Sequence, residues 1–216
     1  MAGCTQKGRP RRIRFMRILR YLLLGGGLLV VVAVIGWFIV NSRVFTKSAP
    51  YKLVRTLGAF EIRDYPALTL ATAPMSDSEG SGGFRQLFGF ITGGNARAEK
   101  IPMTTPVLVE RDAGNWRMSF VLPEAVEKNG VPEPTGKEVR LRKLEAGRYV
   151  VLRFKNRGEE ANQKAAAEKL QAWLAERHIP AQSEPVFAYY DPPWTPTILR
   201  RNEVMLRVPE GTDLAQ

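Results

Sequence analysis

With one cysteine and one histidine among 216 residues, the chain cannot form an internal disulfide or a Cys/His metal cluster, and a histidine-based triad could use only His178. Cys4 lies ahead of the most apolar segment, so it says nothing about redox compartment. Ala-Gly-Cys superficially matches a lipoprotein box, but the apolar region that should precede such a cysteine follows it here. No phosphate-cradling glycine loop and no serine-centred elbow is present. Acidic residues are missing from residues 1–40, which hold Lys7, Arg9, Arg11, Arg12, Arg14, Arg17 and Arg20. Of the 32 basic residues that leaves 25, against 21 acidic ones, for the rest of the chain. Such a mixed surface is ordinary, so the formal charge of +11 belongs mainly to the tail and no nucleic-acid partner is expected.

Charge is also absent from Tyr21 to Val40, YLLLGGGLLVVVAVIGWFIV. Twenty apolar residues at about 1.5 Å each span a hydrocarbon layer of roughly 30 Å, so residues 21–40 are expected to form a transmembrane helix. Tyr21 at one end and Trp37 and Phe38 near the other suit the lipid interface, and Gly25 to Gly27 are tolerated within the span. The excess of positive charge before the segment keeps the N-terminus cytoplasmic and exports the rest. A cleaved signal peptide is the alternative, but the run is long for one and NSRVFTKSAP offers no clear Ala-x-Ala site. The organisation expected is a basic cytoplasmic tail at 1–20, the anchor at 21–40, a linker at 41–50, one domain at 51–208 and a tail at 209–216. The anchor would make this a single-pass protein, most readily of a bacterial inner membrane, with an extracytoplasmic domain and the lipid bilayer as a partner.

In the domain, apolar residues recur at strand spacing, then helix spacing, then strand spacing, and the order occurs twice. The first half has strands at Tyr51 to Arg63 and Ala67 to Ala73, a helix at Phe84 to Thr92, and strands at Val107 to Arg111 and Trp116 to Leu122. The second has strands at Val139 to Leu144 and Tyr149 to Phe154, a helix at Glu159 to Arg177 that Pro180 ends, and strands at Val186 to Tyr190 and Glu203 to Val208. Pro123 to Lys137 lacks an apolar period and reads as a surface connection, and Ser76 to Gly83 as a flexible lead into the first helix. The fold class is therefore α+β: two strand-strand-helix-strand-strand halves with two flanking helices, curled into an antiparallel barrel that leaves no edge.

Four stretches carry a family likeness. FEIRDYP at Phe60 to Pro66, the Phe-containing helix running into Gly93-Gly94-Asn95, KIPMTTPV at Lys100 to Val107, and YDPPWTP with LRRNEV at Tyr190 to Val204 together resemble the SOUL haem-binding family. The resemblance spans Tyr51 to Val208. It implies a barrel of two similar halves flanked by helices, and haem or another tetrapyrrole bound non-covalently in an apolar cleft beside the first helix. At Phe84, Phe88 and Gly89 the chain departs from the family's methionine and basic side chains, which makes the cleft more aromatic and less charged.

The residues themselves make physical sense of this. Phe84, Leu87, Phe88 and Ile91 fall on one helical stripe, which could bury a flat macrocycle, although an inward helix face looks the same. Arg85, Arg200 and Arg201 are candidates for the propionates, and Tyr190 and Trp194 for contacts at the rim. His178 closes the second helix, where an imidazole suits the helix dipole better than iron, so no strong axial ligand and no metal site is expected. The Met-Thr-Thr-Pro and Tyr-Asp-Pro-Pro elements read mainly as fold determinants. The function expected is a membrane-anchored, non-enzymatic haem-binding protein that carries or buffers its ligand. The alternatives are a tethered sensor or interaction domain for another apolar molecule or a protein, and a hydrolase working through carboxylates such as Glu61 or Glu203.

Overall fold

The computed structural model describes residues 20–31, 33, 34, 36, 47–75, 81–112, 114–155 and 159–212. It divides into two compact units, Met1–Phe45 and Thr46–Gln216. In the first, residues 20–31 form a helix, α1, on which Tyr21, Leu22, Leu23, Leu24, Leu28 and Leu29 are all exposed. Among the described residues no helix is long and apolar enough to cross a membrane. A spanning helix needs about 20 residues, and the described part of α1 falls short of that. Residues 32, 35 and 37–40 of the expected anchor lie outside the described residues, as do 1–19 of the basic tail, 41–46 of the linker, 76–80 of the lead into the first helix and 213–216 of the C-terminal tail.

The second unit is α+β, built on one nine-stranded antiparallel sheet. Its elements are β1 (Lys52–Leu57), β2 (Phe60–Tyr65), β3 (Leu68–Met75), α2 (Ser81–Ile91), β4 (Val107–Asp112), β5 (Asn115–Val121), α3 (Glu124–Lys128), β6 (Arg140–Leu144), β7 (Gly147–Phe154), α4 (Glu160–Glu176), β8 (Val186–Tyr189) and β9 (Asn202–Val208). A single 3₁₀ turn, Thr197–Leu199, lies between β8 and β9. The strand order is β1-β2-β7-β9-β8-β4-β5-β3-β6. Read outward from the central β8–β4 pair, the two sides match: β9, β7 and β2 on one, β5, β3 and β6 on the other. The duplication is thus present in the topology, and the halves interlock, because β2 joins the second half and β6 the first.

Two expectations fail here. The sheet does not close into a barrel: β1 and β6 stand at its two ends and do not pair with each other. Both edges are protected by charge instead, Lys52 and Arg55 on β1 and Arg140, Arg142 and Lys143 on β6. There are also nine strands rather than eight, since Tyr51 to Arg63 is not one strand. Gly58, at φ 63°, supplies the left-handed turn that folds it into the β1–β2 hairpin. The connection after Pro123 contains a short helix, α3, that a segment without apolar period did not announce.

Alternation along the strands sorts the core into two layers. One face of the sheet, including Ile62, Val109, Val150, Leu152, Val204 and Leu206, lies under α2 and α4, which contribute Leu87, Phe90, Ile91, Leu170 and Leu174. The other face, with Leu70, Leu108, Tyr149, Val151, Ala188 and Met205, is buried without a helix over it, so the curl of the sheet covers it. In α4, the Ala-rich helix with the least intrinsic cost, the buried residues are Gln163, Ala166, Ala167, Leu170 and Leu174. His178 follows it in a left-handed conformation, φ 53°, and its N–H donates to the Ala175 carbonyl at 3.0 Å, which closes the helix.

Leu170 is fully buried between α4 and the sheet. Leu170→Ala should lower unfolding free energy by about 2–5 kcal/mol in urea titrations, the range for deleting a leucine side chain from a packed core.

Candidate functional site

Helix α2 is buried unevenly along its apolar stripe. Leu87 and Ile91 point into the core with Phe90, each at most 4% exposed, whereas Phe84 is 39% and Phe88 47% exposed. The expected stripe is therefore split between structure and surface. The two outer rings lie nearly parallel, 14° apart with centroids at 5.9 Å, and Phe84 meets Phe120 of β5 edge-on at 5.4 Å. Such parallel rings form a flat apolar platform beside the sheet. Arg85, exposed on the same helix, is the cation next to it.

The other candidates are elsewhere. Tyr190 packs on the opposite face of the sheet, and Tyr189 is the one that shares the helix-covered face with Phe84. Arg200 is committed to the β8–β9 loop, donating from Nε to the Thr195 carbonyl at 2.8 Å and from Nη2 to that of Pro193. Trp194 projects from the same loop and is 74% exposed. Phe84 and Phe88 thus form one group by ring contact, with Arg85 next to Phe84 in sequence, and Tyr190, Trp194 and Arg200 do not join them through any ring contact or hydrogen bond among the described residues.

A cavity of about 210 Å³ lies at the far end of β4 and β8, lined by Arg111, Trp116, Gln163 and Phe187 among others, and includes none of the eight candidates. Small-molecule sites usually enclose about 300–1,000 Å³. This cavity falls below that range. Among the described residues no cluster of three or more His, Cys, Asp or Glu side chains could hold a metal ion.

The sequence reading missed an ion network on the opposite face, with Arg63 and Glu203 buried at its centre. Arg63 of β2, with no exposed surface, donates from Nη1 to Glu203 Oε2 at 2.6 Å and from Nη2 to Glu203 Oε1 at 2.9 Å. Its Nε reaches Glu61 at 2.8 Å and its Nη1 the Tyr65 hydroxyl at 3.0 Å. Tyr190 donates to Glu203 Oε2 at 2.9 Å, and Arg201, stacked 4.0 Å over the Tyr190 ring, donates to Oε1 at 2.9 Å. Arg153 of β7 bridges Glu61 and Glu203. One signal was legible: in FEIRDY, strand alternation puts Glu61, Arg63 and Tyr65 on one face and Phe60 and Ile62 on the other.

Burial works against the charge on Glu203, but the hydrogen bonds and charge of Arg63, with help from Arg201, win and hold its carboxyl below the usual range. Burial likewise opposes the Arg63 charge, and Glu203 outweighs it, so the guanidinium stays protonated above its ordinary value. Burial and the nearby Glu203 carboxylate push the Tyr190 hydroxyl up, which keeps it a donor.

The two motifs flanking β4 and β8 act on the backbone. Thr104 Oγ1 donates to the Val121 carbonyl, the Thr105 N–H donates to the Lys47 carbonyl at 2.9 Å, and the Ala49 N–H donates to the Thr105 carbonyl at 2.7 Å. The Met-Thr-Thr-Pro segment thereby fastens the start of the domain to the sheet. In the Tyr-Asp-Pro-Pro segment, Asp191 accepts the Arg201 N–H and the Thr195 N–H donates to the Pro192 carbonyl at 3.0 Å, which sets the loop.

The domain is thus a duplicated α+β sheet with two covering helices and an exposed aromatic pair on the first of them. The SOUL heme-binding protein model matches residues 46–207. The chain belongs to that family, whose description makes haem the ligand class in general terms. No curated protein matches the sequence. Among solved structures, the EcmrR C-terminal domain is 13% identical with a TM-score of 0.48, covering 74% of this chain and 98% of that one. A hydrolase from Listeria innocua is 9% identical with a TM-score of 0.47, covering 78% and 96%. An uncharacterized conserved protein from Listeria innocua is 11% identical with a TM-score of 0.49, covering 69% and 92%.

A carboxylate held below its ordinary value of 4.5 contributes stability that is present above that pH and lost as pH falls through the folded value. The melting temperature should therefore drop below pH 4.5, and Glu203→Gln should flatten that acid slope. At pH 7 Glu203→Gln should cost about 3–5 kcal/mol by leaving Arg63 buried and under-compensated, whereas the paired Arg63→Met, Glu203→Leu variant should recover most of the loss.

Proposed function

We propose that this chain is a membrane-tethered carrier or buffer of haem or a related tetrapyrrole, bound at the aromatic platform of α2 without a strong axial ligand. The observation that carries the site is the exposed, near-parallel Phe84–Phe88 pair: isolated apolar residues are common on surfaces, but two stacked rings held edge-on by a third form a receiving surface for a plate. Family membership supports the ligand class. Arg85 would meet a propionate by a charge-assisted hydrogen bond. Bound haem would bring its own iron chemistry, while the chain's residues hold and orient the plate.

The tether is supported by the uncharged run Tyr21 to Val40, the seven basic residues before it, and the bare leucines of α1, which need an apolar solvent. On this reading the N-terminus is cytoplasmic and the domain lies on the other side of the membrane. A hydrolytic role is disfavoured by the state of Glu203: both its oxygens are bonded, to Arg63, Tyr190 and Arg201, which leaves it poorly placed to activate water.

Titrating the full chain in detergent with haemin should give a shifted Soret band. Phe84→Asp with Phe88→Asp should weaken binding at least tenfold with an unchanged circular dichroism spectrum, since both rings are exposed, and His178→Ala should leave the band in place. Unaltered affinity in the double aspartate variant would remove the platform from the site.

A further inference from the structure

We infer that the end of the sheet made by the β8–β9 loop and the segment before β4 is a lipid-contacting face that rests on the bilayer surface; this builds on the tether proposed above. In the antiparallel β4–β8 ladder Val107 opposes Tyr189, so the chain before Val107 and the chain after Tyr189 lie at the same end. That end is unusually apolar for a surface. Trp194 is 74%, Ile198 72%, Leu199 50% and Met103 38% exposed. Tryptophan beside aliphatic side chains is the composition that lipid interfaces select.

The loop is set before it meets a partner. Pro192, Pro193 and Pro196 fix backbone angles, the Thr197–Leu199 turn supports Ile198, and Thr195 is buried beneath. Arg200 and the Asp191 carboxylate bind backbone groups on either side, so Trp194 and Ile198 are presented with little ordering left to lose.

Chain length selects lipid as the occupant. The domain starts at this same end, because Thr105, two residues from Met103, pairs with Lys47 and Ala49. Six residues separate Val40 from Lys47. Fully extended, that interval reaches at most about 25 Å. So short a leash holds the domain close to the proposed anchor and lets its leashed end reach the bilayer surface. Lys47, exposed there, adds attraction to anionic headgroups.

The test uses the full chain in vesicles of phosphatidylcholine and phosphatidylglycerol containing nitroxide-labelled lipid. In a Cys4→Ser background, Ile198→Cys and, as a control at the opposite end of β8, Glu184→Cys carry a nitrobenzoxadiazole label. Both residues are exposed, so labelling spares the fold. Alkaline carbonate extraction is read in parallel. Retention of the chain with at least twofold stronger quenching at 198 than at 184 is the expected result. Retention with equal quenching would overturn the lipid-facing loop while leaving the tether standing. Extraction of the chain by carbonate would overturn the tether and the lipid-facing loop with it.

Discussion

Two full charges are sealed inside the second unit, and the arrangement of its strands depends on them. Arg63 and Glu203 sit on β2 and β9, which are not neighbours: β7 runs between them, so the pair reaches across a whole strand. Its energetic meaning lies in what a slip would do. A shift of β2 or β9 by one residue would swing one partner to the opposite face and leave the other buried and uncompensated, a far larger penalty than the loss of an apolar contact. Arg153 on the intervening β7 bonds both acids, so all three strands are locked together. The same strands carry the interlock of the two halves, since β2 comes from the first and β7 and β9 from the second.

Placing this network on one face leaves the other free for binding. Helix α2 lies over β3 and β5 and α4 over β7 and β9, so the central β4 and β8 run between the two helices. Polar atoms of the inner face are spent on one another, which is why Tyr190, attractive as a rim residue in the sequence, is bound to Glu203 instead. Phe84 and Phe88 have no such competitor and stay partly open on the same helical stripe that buries Leu87 and Ile91.

The strand and helix positions were legible because alternation and the 3.6-residue period are local, and the bounds of α4 differ from the expected ones by a residue at each end. Closure was not legible, because it depends on whether β1 and β6 meet across the whole sheet, a relation that no local pattern encodes. The split of the α2 stripe escaped for a similar reason. Periodicity grouped Phe84, Leu87, Phe88 and Ile91 by angle, while burial depends on where the sheet ends beneath the helix. Gly58 was readable in principle as a turn, but Leu57-Gly58-Ala59 lacks the Asn-Gly or Asp-Gly chemistry that marks a hairpin. Arg63 and Glu203, 140 residues apart, had no local signal of partnership at all.

The aromatic platform and the proposed lipid-facing loop share one end of the sheet. Phe84 rests against Phe120, Phe120 is opposite Val107, and Val107 is opposite Tyr189, the last residue before the loop. A plate stacked on Phe84 would thus lie within a strand or two of the end proposed to face lipid. For an apolar macrocycle that distance matters more than the depth of its pocket. Water between membrane and site would be the main barrier to its transfer, and under the proposed orientation a shallow platform at that end would lower it where the cavity beside Trp116, at the far end, would not.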